Sequence, residues 1–141
     1  MRRVDRLFEG YGRYHRDPRN KAIHWVCVPL ILWSVLGILW AVSPVAAWIA
    51  IALSAVFYLL LSVPLTAGML AISAGMAWAL TYLGDRVLPV SLIVFAAAWI
   101  GQFIGHVIEG RKPAFVDDLR SFLVAPAWLL GDLYRRLGIR Y

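Results

Sequence analysis

The sequence predicts an all-α integral membrane protein, a four-helix bundle with amphipathic interfacial helices at both ends, formed as a single domain over residues 1–141. Three observations predict it. Of the 141 residues, 62% are hydrophobic, well above the roughly half found in soluble domains. Between Ile23 and Gly84 no side chain carries a formal charge, a stretch long enough for three spans of about 20 residues each. The cations are also segregated: of 14 Lys and Arg residues, seven precede Ile23, six follow Gly110 and only Arg86 lies between. This positive-inside pattern places both termini of a multi-pass protein on the cytoplasmic side.

The elements follow in order. Val4, Leu7, Phe8, Tyr11, Tyr14 and His15 recur at helical spacing, which predicts an amphipathic helix over residues 3–15 lying on the membrane surface. Asp17 followed by Pro18 is a helix start, with Asp17 as cap and Pro18 in the first turn, so a first span is expected over 18–42. Ser43-Pro44 and Val63-Pro64 break the apolar run, giving spans over 45–63 and 65–83. "GDRVLP" precedes a fourth span over 90–108. Small residues at Gly68, Ala71, Gly75 and Ala79 predict a helix-packing face on the third span. After Pro113 the pattern is again amphipathic, and an interfacial segment over 114–141 ends in the aromatic and basic run "WLLGDLYRRLGIRY".

Composition also excludes several classes. The net charge of +6 is accounted for by topology and by attraction to anionic headgroups, and no nucleic-acid recognition motif accompanies it. A cleavable signal peptide is not expected, because the apolar run starts only after residue 22 and continues far beyond a short hydrophobic core. Cys27 is the sole cysteine, so neither an intramolecular disulfide nor a thiolate cluster is available, and it reads as a small buried hydrophobe.

Four spans return the chain to the face on which it started, and this gathers the polar residues. His15 and His24 flank the start of the first span, while His106 and Glu109 close the fourth. Gln102, His106 and Glu109 are spaced i, i+4 and i+7 on one helix face, and Asn20 and His24 are i and i+4 on another. Imidazoles with a carboxylate and open positions suit non-haem iron(II), although zinc accepts similar ligands and spacing alone does not choose the metal. The alternative is that the three histidines are interfacial residues bonded to headgroups or neighbours. Arg16, Arg19, Arg111 and Lys112 lie where an interfacial carboxylate would sit, and they serve equally well as topology signals.

Two segments carry a resemblance. "YHRDPRNKAIHWVCVPLILWS" (14–34) and "WIGQFIGHVIEGRKPAFVDDLRSFLVAPAWLL" (99–130) resemble the small integral membrane dioxygenases that shorten 2-hydroxy fatty acids by one carbon in phytosphingosine breakdown. The resemblance implies that His15, His24 and His106 match the histidines associated with that family's iron(II) requirement. It implies Glu109 as the acidic position before Pro-Ala, and Asn20 as a residue orienting an imidazole; Gln102, one turn before His106, is expected from its spacing to support the site in the same way. The implied cofactor is iron(II), one or more ions, with neither haem nor 2-oxoglutarate. The implied substrates are a 2-hydroxy fatty acid and O2, the acid chelating iron through its hydroxyl and carboxylate before cleavage between C1 and C2. The sequence leaves the oligomeric state open. Competing readings are a di-iron fatty-acid hydroxylase or desaturase, which needs far more histidines than three, and a small transporter or membrane scaffold. Transport sites usually lie at mid-membrane, where these spans offer only Ser, Thr and Tyr.

Overall fold

The computed structural model describes residues 1–141 as six α-helices: α1 (Arg3–Gly12), α2 (Pro18–Val42), α3 (Pro44–Leu59), α4 (Val63–Leu80), α5 (Val87–Glu109) and α6 (Ser121–Arg136). Capping side chains and prolines set three of the starts. Asp17 accepts from the Arg19 amide at 2.9 Å, Ser43 from Val45 and Ser62 from Leu65. Each oxygen satisfies an amide that helix geometry leaves without a partner, and the proline within the first two helical positions has no amide to satisfy. Gly110, with φ of 71°, ends α5 in the left-handed conformation that glycine adopts without penalty.

Several boundaries differ from the sequence reading. α1 stops at Gly12 rather than at residue 15; Tyr14 and His15 then bond back to Tyr11 and Gly12 in a turn, which swings the His15 ring toward α2. Pro64 lies inside the first turn of α4, because Ser62 is the cap and α3 has already ended at Leu59. Three segments are long and apolar enough to cross a membrane, Pro18–Val42, Val63–Leu80 and Gly84–Glu109. α3 is apolar but has 16 residues, about 24 Å against a hydrocarbon thickness of about 30 Å.

The tightest helix pair is α2 with α5, and glycines make it so. A Cβ at Gly101 would meet Cys27 Sγ at 2.6 Å, one at Gly105 would collide with Asn20 Oδ1, and one at Gly37 would strike Ser91. Small residues allow this approach where apolar surroundings provide little drive of their own for helices to associate. The packing face expected on α4 is a correction: Ala71, Gly75 and Ala79 are exposed. Gly68 alone of the four packs closely, against Leu130 and Tyr134 of α6. The buried face of α4 is Leu65, Met69, Ser73, Ala77 and Leu80.

Two apolar clusters result. One joins α1 and α6 to the adjoining ends of α2, α3 and α4, through residues such as Phe8, Val28, Tyr58, Met69 and Leu130. The other, at the opposite end, holds Leu36, Ile51, Ala77, Leu80 and Val87. Many outward side chains, including Leu53, Val56, Ile93 and Val107, are large, apolar and exposed, as a lipid-facing surface requires. Gly37→Val should lower stability by about 1–3 kcal/mol through overpacking against Ser91 and Leu80. Thermal unfolding in detergent checks this, and Ser91→Gly in the same chain should recover part of the loss.

Candidate metal centre

His15, His24 and His106 come together under a cover of aromatic rings. They arrive from the turn after α1, from the second turn of α2 and from the last turn of α5, and they are 1%, 0% and 5% exposed. Each contributes one potential ligand nitrogen, and the three nitrogens lie within 4.8 Å of one another. The ring centroids of His15 and His24 are 4.2 Å apart, and each is 5.0 Å from that of His106. Tyr11 stacks on His15 at 4.2 Å with an interplanar angle of 18°, and Trp128 of α6 lies 5.5 Å from it.

The hydrogen bonds decide the protonation of two of these rings. Nδ1 of His15 is 2.9 Å from the Tyr11 carbonyl and Nδ1 of His24 is 2.9 Å from the Asn20 carbonyl. A carbonyl only accepts, so both Nδ1 atoms carry the proton and both Nε2 atoms present lone pairs. Those two Nε2 atoms face each other at 2.9 Å. Two lone pairs at that distance repel unless a cation lies between or beside them. An imidazolium would supply a proton, but burial, followed by the neighbouring His24, pushes the His15 pKa down to about 3.

The donor set therefore fits a metal ion. Ligating histidines characteristically hold the second ring N–H on a carbonyl, which fixes tautomer and orientation, and both rings do so here. Nδ1 of His106 is buried without a partner, a condition rare in folded proteins unless something further completes it. An all-imidazole set suits iron, zinc, copper or nickel.

The other predicted site residues are distributed differently. Glu109 is not in the histidine group: its oxygens accept from the Arg16 and Asp17 amides, each at 2.9 Å, and from Asn20 Nδ2 at 3.1 Å. Asn20 orients the His24 ring through its backbone carbonyl, and its side chain ties Glu109 to α2. Its Oδ1, like Oε1 of Gln102, is buried without a partner. Arg19 pairs with Asp17 at 2.9 Å and Lys112 with Asp117 at 2.8 Å, and Lys112, followed by Tyr14, holds the Asp117 carboxyl below the usual carboxylate range. Arg111 stacks over the Tyr14 ring at 4.5 Å and donates to the Arg13 carbonyl. Arg16 is exposed and its guanidinium forms no salt bridge. None of these four cations lines the cavity that begins at the histidines.

That cavity, about 290 Å³ in volume, has His15, His106 and Gln102 in its wall and is otherwise mainly apolar, reaching between α2, α3 and α4. Sequence reasoning missed the aromatic cover. Tyr11 was legible only as an apolar position of α1, and Trp128 only as part of an interfacial aromatic run. Nothing local shows that α6 folds back over the histidines, where Tyr58 Oη donates to the Leu123 carbonyl at 2.7 Å and Tyr134 Oη to that of Pro64 at 2.8 Å.

Comparison with known proteins adds two findings. A family model described as 2-hydroxy-palmitic acid dioxygenase Mpo1-like matches residues 1–137. The chain is 35% identical over 139 aligned residues to the 2-hydroxy-palmitic acid dioxygenase MPO1 of Saccharomyces cerevisiae, an alignment that covers 91% of this chain and 78% of the yeast protein. No solved structure matches the chain.

Proposed function

The chain belongs to the 2-hydroxy-palmitic acid dioxygenase Mpo1-like family, and we propose that it is a membrane dioxygenase that uses iron(II) at His15, His24 and His106 to shorten long-chain 2-hydroxy fatty acids by one carbon. The observation that carries the chemistry is the pair of Nε2 atoms of His15 and His24 facing each other at 2.9 Å, with both Nδ1 atoms on backbone carbonyls, beside an apolar cavity that His15 and His106 line. Iron(II), when bound, supplies the one-electron chemistry that oxygen needs and the open positions that a 2-hydroxy acid chelates.

The chain's own residues bind, orient and shield. The carbonyls of Tyr11 and Asn20 hold the two imidazoles as donors toward one point. Tyr11 and Trp128 cover that point and exclude water, which strengthens every electrostatic interaction inside. Gln102, one turn before His106, presents its amide to the head of the acid. Arg16 and Arg111, outside the cavity wall, add positive charge on the same face that attracts the carboxylate, and Gln102 in the wall holds it. Fixing the head in this way converts a diffusional encounter into an oriented one.

The test uses detergent-purified protein loaded with iron(II) under anaerobic conditions. On admission of isotopically labelled oxygen, a long-chain 2-hydroxy acid should yield the acid one carbon shorter with label in its carboxyl group, the lost C1 leaving as carbon dioxide with water as the remaining product, and no requirement for 2-oxoglutarate. An untouched substrate, or equal shortening without oxygen, overturns the reading. The segregated cations further support both termini being cytoplasmic, and reporter fusions should place Arg2 and Tyr141 on one side of the membrane and Asp85 on the other.

A further inference from the structure

The apolar cavity is far deeper than a metal and a carboxylate require. From His15, His106 and Gln102 it continues along one stripe of α2 formed by Val28, Ile31, Leu32, Val35, Leu36 and Leu39, spaced as a single helix face demands. α2 runs away from the histidines and α3 runs back toward them. Leu36, Leu39, Ala50 and Ile51 therefore form the distant end, and Tyr58 lies near the mouth. Leu36 and Ile51 are buried members of the second apolar cluster, backed by Ala77, Leu80 and Val87. From the level of His24 to Leu39 is ~22 Å along the helix axis, the reach of an extended acyl chain of about eighteen carbons.

Side-chain size keeps this space open. Ala50 and Ser54, four residues apart on α3, and Ser73 on α4 present short side chains to the cavity, where larger residues would fill it. We propose that the cavity is an acyl-tail gauge: it takes one straight chain from the bilayer, and Leu36 with Ile51 sets the longest tail whose head still reaches the histidines. The proposal rests on the dioxygenase reading for the head group, and adds the length limit and the residues that impose it.

The physical basis is packing rather than transfer. The bilayer interior is as apolar as the cavity, so moving a tail from one to the other gains little. A close-packed floor does not yield readily, so a tail that overruns it must displace side chains or withdraw the head from the histidines. Overpacking of that size lowers affinity by about tenfold or more.

The experiment uses the full chain in nanodiscs, with unreactive saturated straight-chain acids displacing a fluorescent polyene acid at equal mole fraction. Wild-type affinity should hold up to a limiting length and fall about tenfold or more beyond it. Ala50→Phe should move the limit to shorter chains. Ser54→Phe, ~6 Å nearer the mouth, should move it further by about five methylenes. Leu36→Ala opens the floor instead, should move the limit to longer chains, and keeps the test decisive if the Phe variants do not fold. A limit that Leu36→Ala leaves in place, or a wild-type affinity with no limit, overturns the gauge. If such a protein still shortens 2-hydroxy acids, the gauge alone fails. If the limit moves as stated in a protein that leaves 2-hydroxy acids unchanged, the gauge is supported and the dioxygenase reading fails.

Discussion

Replacing His15, His24 or His106 by Ala should lower metal affinity more than about 100-fold, beyond the 10- to 100-fold range seen when only an orienting partner is lost. Each ring supplies one of three nitrogens, and no other His, Cys, Asp or Glu side chain joins the group, so two ligands remain after any single change. Turnover should disappear with the metal. The rings are buried, which makes them part of the packing and not mere surface groups as their place at the helix ends implies. Truncation removes packed atoms, at a cost of up to several kcal/mol for a buried side chain, yet in the metal-free state it also relieves the repulsion between the His15 and His24 lone pairs. The diagnostic quantity is therefore the stabilisation by metal. A metal at one hundred times its Kd should raise wild-type stability by about 2.7 kcal/mol, and the variants should gain almost nothing. Metal analysis of the purified proteins and unfolding with and without iron(II) check both statements. Full occupancy in a chain lacking all three histidines would exclude the site.

The histidines were legible in the sequence because topology alone gathers them. An even number of apolar helices returns the chain to its starting face, and Asp17-Pro18 and Gly110 mark where the first and last of these helices begin and end. What local pattern could not supply was the identity of long-range partners. The spacing of Gln102, His106 and Glu109 places three polar residues on one helix face, but which of them reaches the histidines depends on the turn before α2. There the amides of Arg16 and Asp17 capture the carboxylate first. The stripe of Gly68, Ala71, Gly75 and Ala79 has the spacing of a packing face, yet residues of the same size also suit a surface facing lipid. Only the docking of α6 against Gly68 separates that residue from the other three. The cavity was illegible for the same reason, since short side chains at Ala50, Ser54 and Ser73 leave space only because α2 stands opposite them.

Glu109→Ala should lower metal affinity by about 10- to 100-fold, less than the loss of a histidine. The carboxylate accepts from the Arg16 and Asp17 amides and from Asn20 Nδ2. It thereby fastens the turn that carries His15, and the start of the helix that carries His24, to the end of the helix that carries His106. Without it three donors lose their acceptor, at a cost of about 1–3 kcal/mol in the metal-free protein, and the histidines on either side of the junction are free to separate. Glu109→Gln should fall between wild type and Ala. Its single carbonyl oxygen can serve one side of the junction, while its amide group would oppose a backbone N–H. Iron(II) titration followed by thermal unfolding of the metal-free form measures both effects. Equal losses for Glu109→Ala and His106→Ala would show that the carboxylate binds the ion directly. Unchanged affinity in Glu109→Ala would show that the three histidines hold their arrangement without it.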